Sequence, residues 1–137
     1  MIDEDQIRAM LADRATAMRG RDAERFVAHY APQVVKFDLP PPLLLIAPEA
    51  SDPEALRAFF GSHPGSGPIG YEIHDLAVTV GGDVAFCHSL NYLAGALWFR
   101  STIGLRKLDG EWRITHEHNS TPFYMDGSGK AAIDLQP

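Results

Sequence analysis

Apolar residues at Ile7, Met10, Leu11, Ala15 and Met18 form one stripe at helical spacing through an otherwise charged segment. This predicts an amphipathic helix from Asp3 to about Arg19. Asp3 is placed to cap it, Glu4 and Asp5 suit its first turn, and Gly20 ends it. Asp22 opens a second helix through Phe26, Val27 and Tyr30, stopped by Pro32. VVKFDL then reads as a strand closed by three prolines, which cannot donate to a ladder. In DPEALRAFFGS, Asp52 as cap, Pro53 at the first helical position and Gly61 at the end mark a short helix. After Gly70 the period becomes two. YEIHDLAVTV, VAFCHSLNYLAG, LWFRSTIGLRKL and EWRITHEHNSTPF are separated by Gly-Gly-Asp and Asp-Gly turns, which predicts an antiparallel meander. Helices first and sheet later make the class α+β, in a single domain over residues 1–137.

Side chains alternate along a strand, so each predicted strand has two readable faces. Trp112, Ile114, His116 and His118 share one face of the last strand, and Arg113, Thr115, Glu117 and Asn119 the other. Trp98, Arg100 and Thr102 alternate with Phe99, Ser101 and Ile103, while Val84, Phe86, His88, Leu90 and Tyr92 line one face of their strand. Apolar residues therefore occur on both faces. One face meets the helices, and the other calls for a subunit interface or a packed ligand cavity.

Composition removes several function classes. The chain carries a net charge of −6 with no basic cluster, which argues against a nucleic-acid partner. Cys87 is the only cysteine, so no intrachain disulfide forms. The opening MIDEDQIRAM is broken by acidic residues and unlike a signal peptide, and LLLIA is too short to span a bilayer. The expectation is a cytoplasmic protein without a membrane partner.

The order of elements, the FDLPPPL strand and loop, the small helix with its FF pair, the strand VAFCHSL and the closing run RKLDGEWRITHEHNSTPF together resemble one family. It is the SnoaL-like, ketosteroid isomerase-related branch of the nuclear transport factor 2-like superfamily, and the resemblance covers almost the whole chain. It implies a cone, the cystatin-like α+β roll: N-terminal helices packed on a strongly curved antiparallel sheet that encloses a pocket. It also implies a homodimer formed through the outer sheet face. Function stays open, because this fold hosts isomerases, cyclases, hydratases, hydrolases and non-catalytic binding domains.

Asp38, at a strand end before the proline run, is the candidate general base, since an apolar setting moves a carboxyl toward a useful pKa. Its plainer role is to bond nearby backbone amides. Ketosteroid isomerases oppose such a base with a tyrosine and a second acid. Here Tyr30 falls at a predicted helix end, and no second acid occupies a matching strand position. His116 and His118 lie about 7 Å apart along one face. They are candidates for pocket lining, with acid–base work for one of them. With His88 as the only third imidazole in view, the set is too thin for a metal site, and no metal or organic cofactor is expected. Phe86, His88, Tyr92, Trp98 and Arg100 complete the expected substrate-binding wall, Arg100 if it meets a carboxylate. YMDGSGK lacks the context of a phosphate loop and reads as a turn, and SHPGSGP reads as a mobile loop, a plain connector or a gate to the pocket. Two functions remain: an acid–base enzyme acting on a small, mostly apolar or weakly polar metabolite, or a non-catalytic ligand-binding or dimerisation module.

Overall fold

The apolar stripe of the first helix is buried as its spacing requires, with Ile7, Met10, Leu11, Ala15 and Met18 all facing the sheet side. The computed structural model describes residues 2–137. Along it run α1 (Asp3–Arg19), α2 (Ala23–Val27), β1 (Tyr30–Phe37), β2 (Leu45–Ile46), a 3-10 turn at Glu49–Ser51 and α3 (Pro53–Gly61). The meander follows as β3 (Tyr71–Gly81), β4 (Val84–Leu93), β5 (Leu97–Leu108) and β6 (Glu111–Ser120).

One six-stranded sheet has the order β2-β1-β6-β5-β4-β3. The meander is antiparallel as expected, but β1 runs parallel to β6, so the sheet is mixed. The reason is topological. The α3 connection carries the chain from one edge of the sheet to the other, and the meander returns until β6 lies beside β1. Register shifts interrupt β1 between Tyr30 and Val35, β3 between His74 and Ala77, and the β5–β6 pair at Gly104/Leu105. Bulges of this kind bend strands and increase their twist, which curls the sheet around α1.

Several expected boundaries move, each for a local reason. The second helix stops at Val27, and Tyr30 begins β1. Pro32 sits inside that strand, within the stretch where pairing to β6 slips and a missing N–H is tolerated. Asp3 does not cap α1; Ile2 holds that position without a side-chain bond. The Asp3 carboxylate instead accepts from Lys107 Nζ at 2.9 Å and Trp112 Nε1 at 3.0 Å, tying the helix start to β5 and β6. Asp22 and Asp52 do cap their helices, accepting from the Arg25 and Glu54 amides. The SHPGSGP loop is stapled: Arg21 donates through Nε to the Gly67 carbonyl and through a terminal nitrogen to that of Phe60, both at 2.8 Å. The chain end folds back on itself, Ala132 N donating to Pro122 O at 2.7 Å.

Two apolar clusters fill the concave side. Ile7, Met10 and Leu11 pack with Val34, Ala85, Cys87, Ile103, Leu105, Trp112 and Ile114. Ala15 and Met18 pack with Phe26, Phe60, Ile69, Tyr71 and Phe99. Arg14 lies between them in sequence, buried on the same helix face.

Candidate functional site

Strand alternation fails in β6, and that failure builds the site. Ile114 pairs with Leu105 and His116 with Gly104, leaving Thr115 as an extra residue. Beyond this bulge the faces exchange. Trp112 and Ile114 point inward before it, and Glu117 and Asn119 point inward after it. His116 and His118 are consequently turned to the outer, convex face, correcting the expectation that they line the cone. There they flank the Phe37 ring edge-on, with centroids 5.1 and 5.4 Å away.

The other expected wall residues share that outer face. Register places Phe86 opposite Gly104, His88 opposite Thr102, Leu90 opposite Arg100 and Tyr92 opposite Trp98, while the inward positions belong to Ala85, Cys87, Asn91, Phe99, Ser101 and Ile103. Trp98 stacks on Tyr92 at 4.7 Å and touches His74 at 4.9 Å. Arg100 is exposed, not buried against a carboxylate. Among the described residues no group of three His, Cys, Asp or Glu side chains is arranged to hold a metal ion.

Inside the cone stands a polar network that alternation had hidden. Arg14 donates to Glu117 Oε1 at 2.9 Å and to the Tyr30 hydroxyl at 3.0 Å, and Tyr30 donates to the same Glu117 oxygen at 2.6 Å. Asn119 Nδ2 bridges two carboxylates, donating to Glu117 Oε2 at 3.0 Å and Asp38 Oδ1 at 3.1 Å. Lys36 closes the chain with an ion pair to Asp38 Oδ2 at 3.3 Å. The Arg14 guanidinium also lies over the Phe26 ring, 4.2 Å from its centroid. Among the described residues, two buried side-chain atoms have no hydrogen-bond partner, Arg14 Nε and Asn119 Oδ1.

Charge is fixed at the inner end of this network. Burial opposes ionisation of Glu117, but Arg14, then Lys36, and the hydrogen bonds from Tyr30 and Asn119 outweigh it and hold the carboxyl at about 2. Burial likewise opposes the Arg14 charge, and Glu117 more than restores it. Burial, reinforced by Glu117, pushes the Tyr30 phenol well above its ordinary value. Tyr30 and Glu117 are a buried tyrosine and carboxyl that strand alternation did not bring together, and each is committed to the other. An ionised Glu117 cannot donate a proton, and Tyr30 spends its hydroxyl on it. The inner pair is a fixed electrostatic frame.

Asp38 is the outer end. Its side chain is 21% exposed, against 5% for Glu117 and 3% for Arg14, so the network runs from solvent into the core. Besides Asn119 and Lys36 it accepts from the Leu39 amide at 2.8 Å, the local role expected of a strand-end aspartate. The structure brings Asp38 together with Glu117 and Asn119 and does not bring it together with either histidine of β6. One small cavity of about 10 Å³ lies further in, lined by Arg14, Tyr71, Ser89, Asn91 and Ser101 with apolar neighbours.

Comparison with known proteins agrees with this architecture. The model of the SnoaL-like domain matches residues 7–124. A solved nuclear transport factor 2-like protein of unknown function from Pseudomonas putida is 31% identical, covering 98% of this chain and 96% of its own at a TM-score of 0.86. A protein of unknown function from Mycobacterium tuberculosis is 18% identical, with 98% and 85% covered and a TM-score of 0.77. A structure from Novosphingobium aromaticivorans with a provisional scytalone dehydratase designation is 13% identical, with 98% and 95% covered and a TM-score of 0.71. The last two share the fold alone. None of the curated proteins matches the chain by sequence.

Proposed function

Because this chain belongs to the SnoaL-like domain family, we propose that it is an acid–base enzyme acting on a small, mostly apolar metabolite, with Asp38 as the proton-transfer group. The observation that carries this reading is the state of Asp38: tethered by Asn119, Lys36 and the Leu39 amide, yet still open to solvent. A general base needs both a fixed position and a route for its proton. Asn119, whose own carbonyl oxygen is buried without a hydrogen-bond partner, holds the carboxylate from its inner side. The Arg14–Glu117 pair behind them supplies a dipole that does not reorganise during turnover. His116 and His118 have no part in proton transfer in this scheme.

The outer face has its own task. Phe37 and Phe86 are 39% and 53% exposed there, on the face that also carries the Trp98–Tyr92 stack and the two β6 histidines that flank Phe37. We assign it to a two-fold contact between copies of the chain, the arrangement the family resemblance implies, working in the cytoplasm. Such a contact buries more than about 1,200 Å² in total. Sedimentation showing only monomer at micromolar concentration would remove this assignment.

The filled interior favours one alternative, a non-catalytic binding module of the same fold, since the cavity behind the network is small. One experiment separates the two. Ligands carried through purification are identified by mass spectrometry, and their conversion is compared for the native protein and Asp38→Asn. Loss of turnover by about 10²- to 10⁴-fold with binding retained supports the enzyme. Full turnover in Asp38→Asn overturns the role of Asp38, and binding without conversion in the native protein supports the module.

A further inference from the structure

Two adjacent rows of side chains across the outer face of the sheet hold three imidazoles and no carboxylate. In one row His88, Thr102, His118 and Phe37 are direct neighbours on β4, β5, β6 and β1. In the other, Phe86, Gly104 and His116 are neighbours on β4, β5 and β6. His88 and His118 are exposed and His116 is half-buried. Strand spacing and the two-residue repeat put all three imidazoles within about 12 Å of one another.

The charged groups that share this face stand away from those rows. On β3, Glu72 is paired with His74 at 2.8 Å, and Asp75 sits at the irregularity of this edge strand. Among its outward residues β4 adds only His88 and Tyr92 as titratable groups, while β5 adds the exposed Arg100 and Arg106. On β6, Arg113 is paired with Glu111 near the turn. Lys36 and Asp38 pair with each other at the end of the inner network, and Asp83 and Asp109 lie in the turns. The face therefore sets three arginines against two glutamates, a balance of +1 with the imidazoles neutral, on a chain whose total is −6. Such a face is too weakly charged to draw a strongly acidic partner. It carries both signs and exposed aromatic area on the same patch, as a contact between identical surfaces requires.

We propose that the two-fold contact assigned to this face is gated by protons: two copies hold together while His88, His116 and His118 are neutral and separate as these imidazoles charge. The proposal rests on the two-fold reading above, adds its regulation, and is independent of Asp38. In an isologous contact every group enters twice, so the rows of both copies form one layer. Imidazolium ions in that layer lose hydration against Phe37 and Phe86, and no carboxylate in either row receives them. They also meet Arg100 and one another as like charges. The separate copies thus bind more protons than the pair, and association weakens as pH falls.

Sedimentation velocity at micromolar concentration tests this between about pH 7.5 and about pH 5.5, the range in which histidine side chains take up a proton. Each imidazole that must stay neutral weakens association about tenfold over that interval, so the two copies of a single residue give about 100-fold. The native protein is expected to be a dimer at the higher pH and a monomer at the lower, with its far-ultraviolet circular dichroism unchanged, since the Glu117 contribution to folding is intact above pH 4.5. The triple variant His88→Gln/His116→Gln/His118→Gln is expected to remain dimeric at both, with His74 left in place on Glu72. Phe86→Arg, which puts a fixed charge in the row of His116, is expected to be monomeric at both. A native dimer whose dissociation constant moves less than about tenfold overturns the gate and leaves the two-fold contact standing. Native monomer at both pH values removes contact and gate together. A triple variant that still dissociates in acid, or that is already monomeric at the higher pH, takes the gate away from these imidazoles. A dimeric Phe86→Arg moves the contact to another surface and overturns the proposal.

Discussion

Glu117→Gln is the sharpest perturbation this core offers. The substitution keeps shape, leaves one carbonyl oxygen for Tyr30 and Arg14, and turns an NH2 toward the Asn119 NH2 that now donates to Oε2. Arg14, 3% exposed, keeps its charge without a counterion. Breaking a buried pair from one side costs about 3–5 kcal/mol. Proton linkage gives the same scale independently. The folded carboxyl sits at about 2 against an ordinary 4.5, a gap worth about 3 kcal/mol at about 1.4 kcal/mol per pH unit. Since the folded value is depressed, this stability is fully present above pH 4.5 and drains away as pH falls toward 2. Guanidinium unfolding at pH 7 is expected to show Glu117→Gln destabilised by about 3–5 kcal/mol, a midpoint temperature lower by about 10–20 °C. Repeated between pH 5 and 2, the variant loses less stability than the native protein, because the Glu117 contribution is already gone. Other depressed carboxyls, Asp3 and Asp13 among them, titrate in both proteins and cancel in the difference. Replacing the trio together, Arg14→Met/Tyr30→Phe/Glu117→Met, is expected to recover most of the loss. A Glu117→Gln protein within about 1 kcal/mol of native, with an unchanged acid slope, would refute the buried pair.

Cys87 is buried and its thiol is pushed up to about 11, by burial first, so a thiol reagent at pH 8 is expected to label it only as fast as the protein unfolds; immediate stoichiometric labelling would contradict its placement. Gly110 holds a φ of 81° beside Asp109 at 51°, the two-residue turn between β5 and β6. Gly110→Ala is therefore expected to cost about 1–2 kcal/mol in denaturant unfolding, and no cost would mean that the turn differs. Arg21, at φ 56°, holds the loop after α3 through the carbonyls of Phe60 and Gly67. Arg21→Ala is expected to speed amide exchange across residues 62–69 while the meander stays protected, and an unchanged loop would show that the staple is idle.

What the sequence made readable was whatever depends on local spacing. The α1 stripe, the Asp22 and Asp52 caps and the Asp-Gly turn between β5 and β6 are short-range physics, and each is found where the residues put it. The parallel pairing of β1 with β6 was not readable in this way, because no residue of either strand records which edge it will meet. The faces of β4 and β5 were separated correctly, but alternation does not say which face is inner. Polarity misled here: Phe86, Trp98 and Tyr92 look like core and lie outside, whereas Ser89, Asn91 and Ser101 look like surface and lie inside.

The misreading of His116 and His118 has a single cause, the one extra residue at Thr115. A slip of one residue exchanges every later side chain between faces, so a correct strand assignment still puts the wrong side chains inside. A signal for the buried network did exist, and it was in the helix. Arg14 stands three residues after Leu11 and four before Met18, inside the apolar stripe, where an arginine can persist only opposite a carboxylate. Applied to β6, that demand chooses between its two faces: His116 and His118 cannot neutralise Arg14, while Glu117 can. A buried charge on one element therefore fixes the register of another, and the bulge follows from the pairing that Arg14 requires.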